Sequence, residues 1–227
     1  MQRMIPAILF QTAVLMAQVG TAGIQGTVTD AASNQAVAGA FVTAIRSGLP
    51  PASQTAASAS DGSFQVQALA AGDYSLCIQV PGGGYLDPCQ WSGTPVKLTL
   101  TAGQKSTGNN LKISAGSVVQ VRVDDPSQLL SQKTKDGRNP QLVVGVWGGN
   151  SLFHPLRVAS QDSTGATFQL TIPPDTALNL QVISGDLKLA NSAGAAVAAT
   201  GDQQSFQYST GAASPPSFKY TVTAANQ

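Results

Sequence analysis

The chain has 227 residues, a formal net charge of +1 and only 10% charged residues, against roughly 25% in typical soluble domains. Such a surface offers no field to gather nucleic acid or acidic lipid, so no nucleic-acid partner is expected. Its 23 glycines and 13 prolines fall with other turn residues at intervals of about 8–12 residues, which excludes long helices and fits a sandwich or barrel.

Arg3 is followed by an apolar run from Ile5 to Met16 and then by the small residues Gly20, Thr21, Ala22 and Gly23. That order is the charged start, apolar core and exit of a secretory signal peptide, and the run falls short of the roughly 20 residues of a bilayer span. Residues 1–22 are therefore expected to be a signal peptide cleaved near Ala22. The rest is expected to be exported to the periplasm, the cell surface or the medium, with no integral membrane segment. About 205 residues remain, enough for one large or two ordinary β domains.

The first strand holds Ile24, Thr27 and Val28 and ends at Asp30. Asn34 and Gln35 turn the chain toward Val37 and the run from Ala40 to Ile45, and Leu49 to Ser58 reads as a loop rich in Pro, Ala and Ser. Asp61-Gly62 is a turn dipeptide that feeds a strand with Phe64, Val66 and Ala68 on one face. Gly72-Asp73 then leads into Tyr74, Leu76, Ile78 and Val80, which alternate with Ser75, Cys77 and Gln79. One face of that strand packs on a core, and the other meets solvent or a loop.

Gly26-Thr-Val-Thr-Asp30, Val37-Ala-Gly-Ala-Phe-Val-Thr-Ala44, Ser60-Asp-Gly-Ser-Phe64 and Ala71-Gly-Asp-Tyr-Ser-Leu76 together resemble the carboxypeptidase regulatory-like domain family. The resemblance runs from about Gly23 to Leu111 and implies a transthyretin-like or immunoglobulin-like sandwich of the structural or adhesive kind. Starch-binding domains share the superfold, which hints only weakly at sugar binding.

Cys77 and Cys89 are the only cysteines. In an exported chain such a pair reads as a disulfide, with the loop Pro81–Pro88 folding back over the outward face of the Cys77 strand. A metal or redox pair is the alternative, but no His or third Cys lies nearby and the spacing is not Cys-x-x-Cys.

The second half echoes the first. Phe64/Phe168, Val66/Leu170, Tyr74/Leu178, Leu76/Leu180 and Ile78/Val182 are each 104 positions apart, and Ile24/Val119, Gly26/Val121 and Val28/Val123 are 95 apart. Two offsets in one chain order read as a degenerate repeat, the alternative being an unrelated sandwich that shares only strand alternation. The expectation is an all-β chain of two consecutive Ig/transthyretin-like β-sandwich domains, residues 23–115 and 116–227, hinged near Ser114 to Ser117. Second-half strands are expected around 118–123, 142–147, 167–172, 178–183, 187–190, 205–208 and 217–223. Asp125 to Asn139 is expected as a polar loop with a helical turn at 127–131.

Little in the sequence points to chemistry. His154 is the only histidine, Gly-x-Ser-x-Gly does not occur, and Phe153-His-Pro155 reads as packing or surface. Asp124-Asp125 before Pro126 suggests a turn with one Asp as cap, and Asp87, Asp124, Asp125 and Asp162 are too dispersed to nominate a calcium loop. Gly82-Gly-Gly84 lacks the Lys and helix of a phosphate cradle. No catalytic residue, metal site or cofactor is therefore expected, and the protein should not be an enzyme.

Phe64, Tyr74, Phe168, Phe206, Tyr208, Phe218 and Tyr220 sit on alternating strands and should be core or cross-strand pairs. Tyr85 and Trp91 stand apart in the cysteine-clamped loop. They are the candidate ligand-binding residues, the alternative being that Trp91 covers an open sheet edge. Trp147, before Gly148-Gly149, suggests a domain-junction or rim position. The expected function is a non-catalytic structural or interaction module of the bacterial envelope with a protein or glycan partner. The alternative is carbohydrate binding through the loop aromatics.

Overall fold

A computed structural model describes residues 20–82, 84–91, 93–148, 152–198, 200–209 and 216–223. The signal-peptide reading of residues 1–19 lies outside the described residues. Seven strands form the first half: β1 (Ala22–Asp30), β2 (Phe41–Arg46), β3 (Ser53–Ala57), β4 (Ser63–Leu69), β5 (Gly72–Gln79), β6 (Val96–Leu100) and β7 (Lys105–Ile113). They make a three-stranded sheet in the order β4-β1-β7 and a four-stranded sheet in the order β3-β2-β5-β6. Alternation puts Ile24 and Val28 of β1, Val66 of β4 and Leu111 and Ile113 of β7 opposite Val42, Ala44, Tyr74, Leu76, Ile78 and Leu100. Because this cluster draws on both sheets, it lies between them as the core of a sandwich.

Nine strands form the second half: β8 (Ser117–Asp124), β9 (Val143–Trp147), β10 (Phe153–Pro155), β11 (Arg157–Asp162), β12 (Gly165–Ile172), β13 (Ala177–Ile183), β14 (Lys188–Asn191), β15 (Asp202–Gln207) and β16 (Ser217–Thr223). Their sheets run β11-β12-β8-β16-β14 and β10-β9-β13-β15. A second, separate core forms from Val119, Val121, Val123, Leu170, Ile172 and Tyr220 against Val144, Val146, Leu178, Leu180 and Val182. The chain is thus all-β, with two sandwich cores.

The two halves share one strand order. β4-β1-β7 corresponds to β12-β8-β16, each with an antiparallel and a parallel pairing on the central strand. The order β3-β2-β5-β6 corresponds to β10-β9-β13-β15, and all of these pairings are antiparallel. Register follows as well. Ile24 faces Val66 as Val119 faces Leu170, and Leu76 faces Ala44 as Leu180 faces Val146. The second half adds β11 and β14 at the two edges of its larger sheet.

Two local expectations are corrected. Ser53–Ala57, expected as loop, is the edge strand β3, and Ser53–Gln54–Thr55 are exposed. With hardly any buried face it has no apolar alternation to betray it. The fully exposed β11 is hidden for the same reason, and β10 by its length of only three residues. At the start of the first sheet, Ala22 opens β1 against Leu69 and is 2% exposed.

Candidate functional site

The loop between β5 and β6 is the structured feature of the seam between the halves. Asp87 organises it from within. One carboxylate oxygen accepts the Cys89 N–H at 2.9 Å, the other accepts the Gln79 side-chain amide at 3.2 Å, and its carbonyl accepts the Gln90 N–H. Cys89 is joined to Cys77 by a disulfide. The outward face at the middle of β5 is therefore covered by the loop, and Cys77 is only 7% exposed. Among the described residues, Cys77, Asp87 and Cys89 form the one group of three potential metal ligands. Both sulfurs are spent in the disulfide, so the group offers a metal only one carboxylate.

The loop sends one ring to each core. Tyr85 packs against the first-half cluster, and Trp91 packs against the second-half cluster. Burial first, then the nearby Asp30 carboxylate, raises the Tyr85 hydroxyl above its ordinary pKa. The Trp91 indole N–H donates to the Thr171 carbonyl of β12 at 2.9 Å, and its ring stacks on His154 of β10 at 4.0 Å. Both rings are half-buried. The structure thus divides the two expected ligand-binding residues between the halves.

The segment expected as a hinge is hydrogen-bonded to this same loop. Leu86 N donates to Ser114 O, Gly116 N donates to Gly84 O, and Tyr85 bridges Ala115. Gly116 has to be glycine, because a Cβ there would stand 2.7–2.8 Å from Thr171, Ile172 and Leu86. Two further bonds cross the seam: the Gly84 N–H to the Thr171 hydroxyl, and the Arg157 guanidinium to the Gln79 side-chain carbonyl. A groove of about 220 Å³ opens alongside, lined by Tyr85, Gln79, Asp87, Gln90 and Thr171 with Arg157. Trp91 is not part of its lining.

His154 is buried, and its Nε2 has no hydrogen-bond partner. Burial holds its pKa below the ordinary imidazole value. It serves as a packing surface for Trp91, the packing role that its Phe153-His-Pro155 context suggested, with the partner supplied by the loop. The acidic residues have structural work. Asp125 caps the turn after β8 by accepting the Leu129 and Leu130 N–H groups, while Asp124 and Asp162 both pair with Arg122. Trp147 ends β9 and lies on the outer face of its sheet, 37% exposed.

The fold and seam define a pair of β-sandwiches of like topology, joined by a disulfide-braced loop. The family model of the carboxypeptidase regulatory-like domain matches residues 23–124. The match runs from β1 through β8. Comparison with curated proteins finds no match. Among solved structures the chain is similar to a streptococcal ancillary pilin, at 9% identity and TM-score 0.40 over 92% of this chain and 64% of that one. It is similar to the Bacillus anthracis TIE protein at 11% identity and TM-score 0.33, over 91% and 46%. A shaft pilin from Lactobacillus rhamnosus GG gives 10% identity and TM-score 0.32, over 92% and 99%. The chain spans less than two-thirds of the first two proteins. At these scores the likenesses carry no functional argument.

Proposed function

We propose that the protein is a non-catalytic, exported interaction module in which two sandwich domains, meeting at 114–116, are held as one rigid unit. The observation that carries this reading is the loop 84–91, which places Tyr85 on one core and Trp91 on the other. A catalytic loop needs side chains free to meet a substrate, whereas here the disulfide, the Asp87 carboxylate and Tyr85 brace the loop on the first half and Trp91 is engaged by the second. The disulfide supports export, because such bonds persist in oxidising compartments. Among the described residues no helix is long and apolar enough to cross a membrane. The shared strand order supports reading the second half as a diverged copy of the first.

A second reading, carbohydrate binding by the loop aromatics, has one observation in its favour: the groove beside Tyr85, whose lining mixes polar and apolar side chains. Cell fractionation with thiol labelling tests the main reading. The chain is expected in the envelope or the medium with Cys77 and Cys89 unreactive. Recovery from the cytoplasm with both thiols free would overturn it.

A further inference from the structure

The outer face of the sheet β10-β9-β13-β15 carries two rings set among uncharged polar side chains. Phe153, Trp147, Asn179 and Ser205 stand in one cross-strand row, and Gly145, Gln181 and Gln203 form the next. The rings converge. Their centroids are 5.2 Å apart, and the Phe153 ring lies over Gly145, where a Cβ would stand 2.1 Å from the ring. Glycine at this position is what lets an aromatic side chain lie down on the sheet. The Trp147 indole N–H donates to the Gln181 side-chain carbonyl at 2.8 Å, tying the ring to the neighbouring strand while it stays 37% exposed. Beside it the Ser205 hydroxyl donates to Asn179. Neither row contains an ionisable side chain.

We propose that this face is a binding platform for a neutral glycan, with Trp147 as the stacking residue, Phe153 flanking it and Asn179, Gln181 and Gln203 pairing with hydroxyls. The chemistry selects the occupant. A pyranose presents an apolar C–H face to a ring and hydroxyls to amides, and a neutral ligand needs no counter-charge. A nucleic acid stacked on the same rings would require Lys or Arg along its backbone, and neither row supplies one. Protein-binding patches are enriched in Met and Arg beside their aromatics, whereas Asn, Gln and Ser surround these rings. In the first half the position corresponding to Gln181 is Cys77, and that face is closed by the disulfide-bound loop. The open platform is therefore peculiar to the second half.

The proposal rests on reading the protein as an interaction module, and it uses residues different from Tyr85 and Trp91. The test is affinity electrophoresis and a microarray with xylan, mixed-linkage β-glucan, mannan and amylose, using wild type, Trp91→Phe, Trp147→Ala and Phe153→Ala. Trp147→Ala should weaken binding at least ~10-fold, the effect of losing a central aromatic anchor. Phe153→Ala should weaken it less, and Trp91→Phe should retain it. With Trp147 then the sole tryptophan, adding the bound polysaccharide to Trp91→Phe should change its fluorescence. Each variant's melting curve guards against misfolding. Loss on Trp91→Phe with retention on Trp147→Ala would move the site to the loop and overturn the proposal. So would absence of binding to every polysaccharide, or capture only of a protein through this face. Those outcomes leave the module reading standing, since it falls on compartment and thiol state instead.

Discussion

The two halves share one strand order and one cross-strand register, yet they use the same sheet face in opposite ways. On the four-stranded sheet of the first half, Cys77 of β5 is locked to Cys89 and the loop lies over it. In the second half Gln181 holds the same place on β13 and steadies an exposed Trp147. Inward positions are apolar in both halves, as at Ile24 and Val119 or Leu76 and Leu180, because either core fails without them. Outward positions carry no such constraint, so one face became a joint and the other a surface. Even a central-strand difference has a local cause. Gly26 of β1 admits no Cβ because Asn109 O would be 1.9 Å away, at an irregularity in the β1–β7 pairing. The regular β8–β16 pairing accommodates Val121.

The disulfide is the largest single difference between the two faces. Replacing both Cys77 and Cys89 by Ser should cost the first half about 3 kcal/mol, the expectation for closing a loop of this size, and leave the second-half core untouched. Chemical unfolding followed by probes in each half reads the asymmetry, and equal loss in both halves would contradict it. Next in size, Trp91→Ala removes a half-buried ring with its stacking and hydrogen bond, for about 1–3 kcal/mol. Hydrogen exchange should then rise at β10 and β12 of the second half, although the substituted residue belongs to the first.

A pH effect comes third. The pKa of His154 is held below the imidazole value of 6.5, so the unfolded chain takes up a proton before the folded one does. Stability is therefore full above about pH 6.5 and declines as the pH falls below it. His154 meets Trp91 of the loop, which also carries Tyr85 and Asp87, and the next strand β11 carries Arg157 and Asp162, whereas its pairing partner β9 presents no titratable side chain. Denaturant midpoints between pH 7 and 5 should fall in wild type and stay flatter in His154→Phe. The smallest effect lies on the second-half surface. Arg122 and Thr164 hold Asp162 below the usual carboxylate range, as Lys219 and Arg122 hold Asp124. Their stabilisation is present above about pH 4 and is lost below it. In Arg122→Ala the acid limb of the stability profile should be shallower.

Much of this architecture could be read from the residues because it rests on alternation. Tyr74, Leu76 and Ile78 mark a buried face, Asp61-Gly62 marks a turn, and the 104-position spacing carries the register of β12 and β13. What escaped has little or no buried face. β3 is Ser-Gln-Thr-Ala-Ala and β11 is exposed along its whole length, so neither leaves a hydrophobic period. The loop itself stood out, with its cysteines and two rings, but which core each ring would join depends on how the halves meet. That geometry is set by non-local contacts such as Trp91 with Thr171. The neighbour of Trp147 is hidden for a related reason: until β10 is laid beside β9, nothing shows that Phe153 shares its face.

On the proposed reading, loop 84–91 fixes two halves of like topology as a single body. Residual dipolar couplings of the oxidised chain, measured separately for the two halves, test it most directly. One alignment tensor should fit both halves of the wild type, and two should be needed for Trp91→Ala. Two independent tensors in the wild-type protein would show that the halves move separately and that the loop does not fix them.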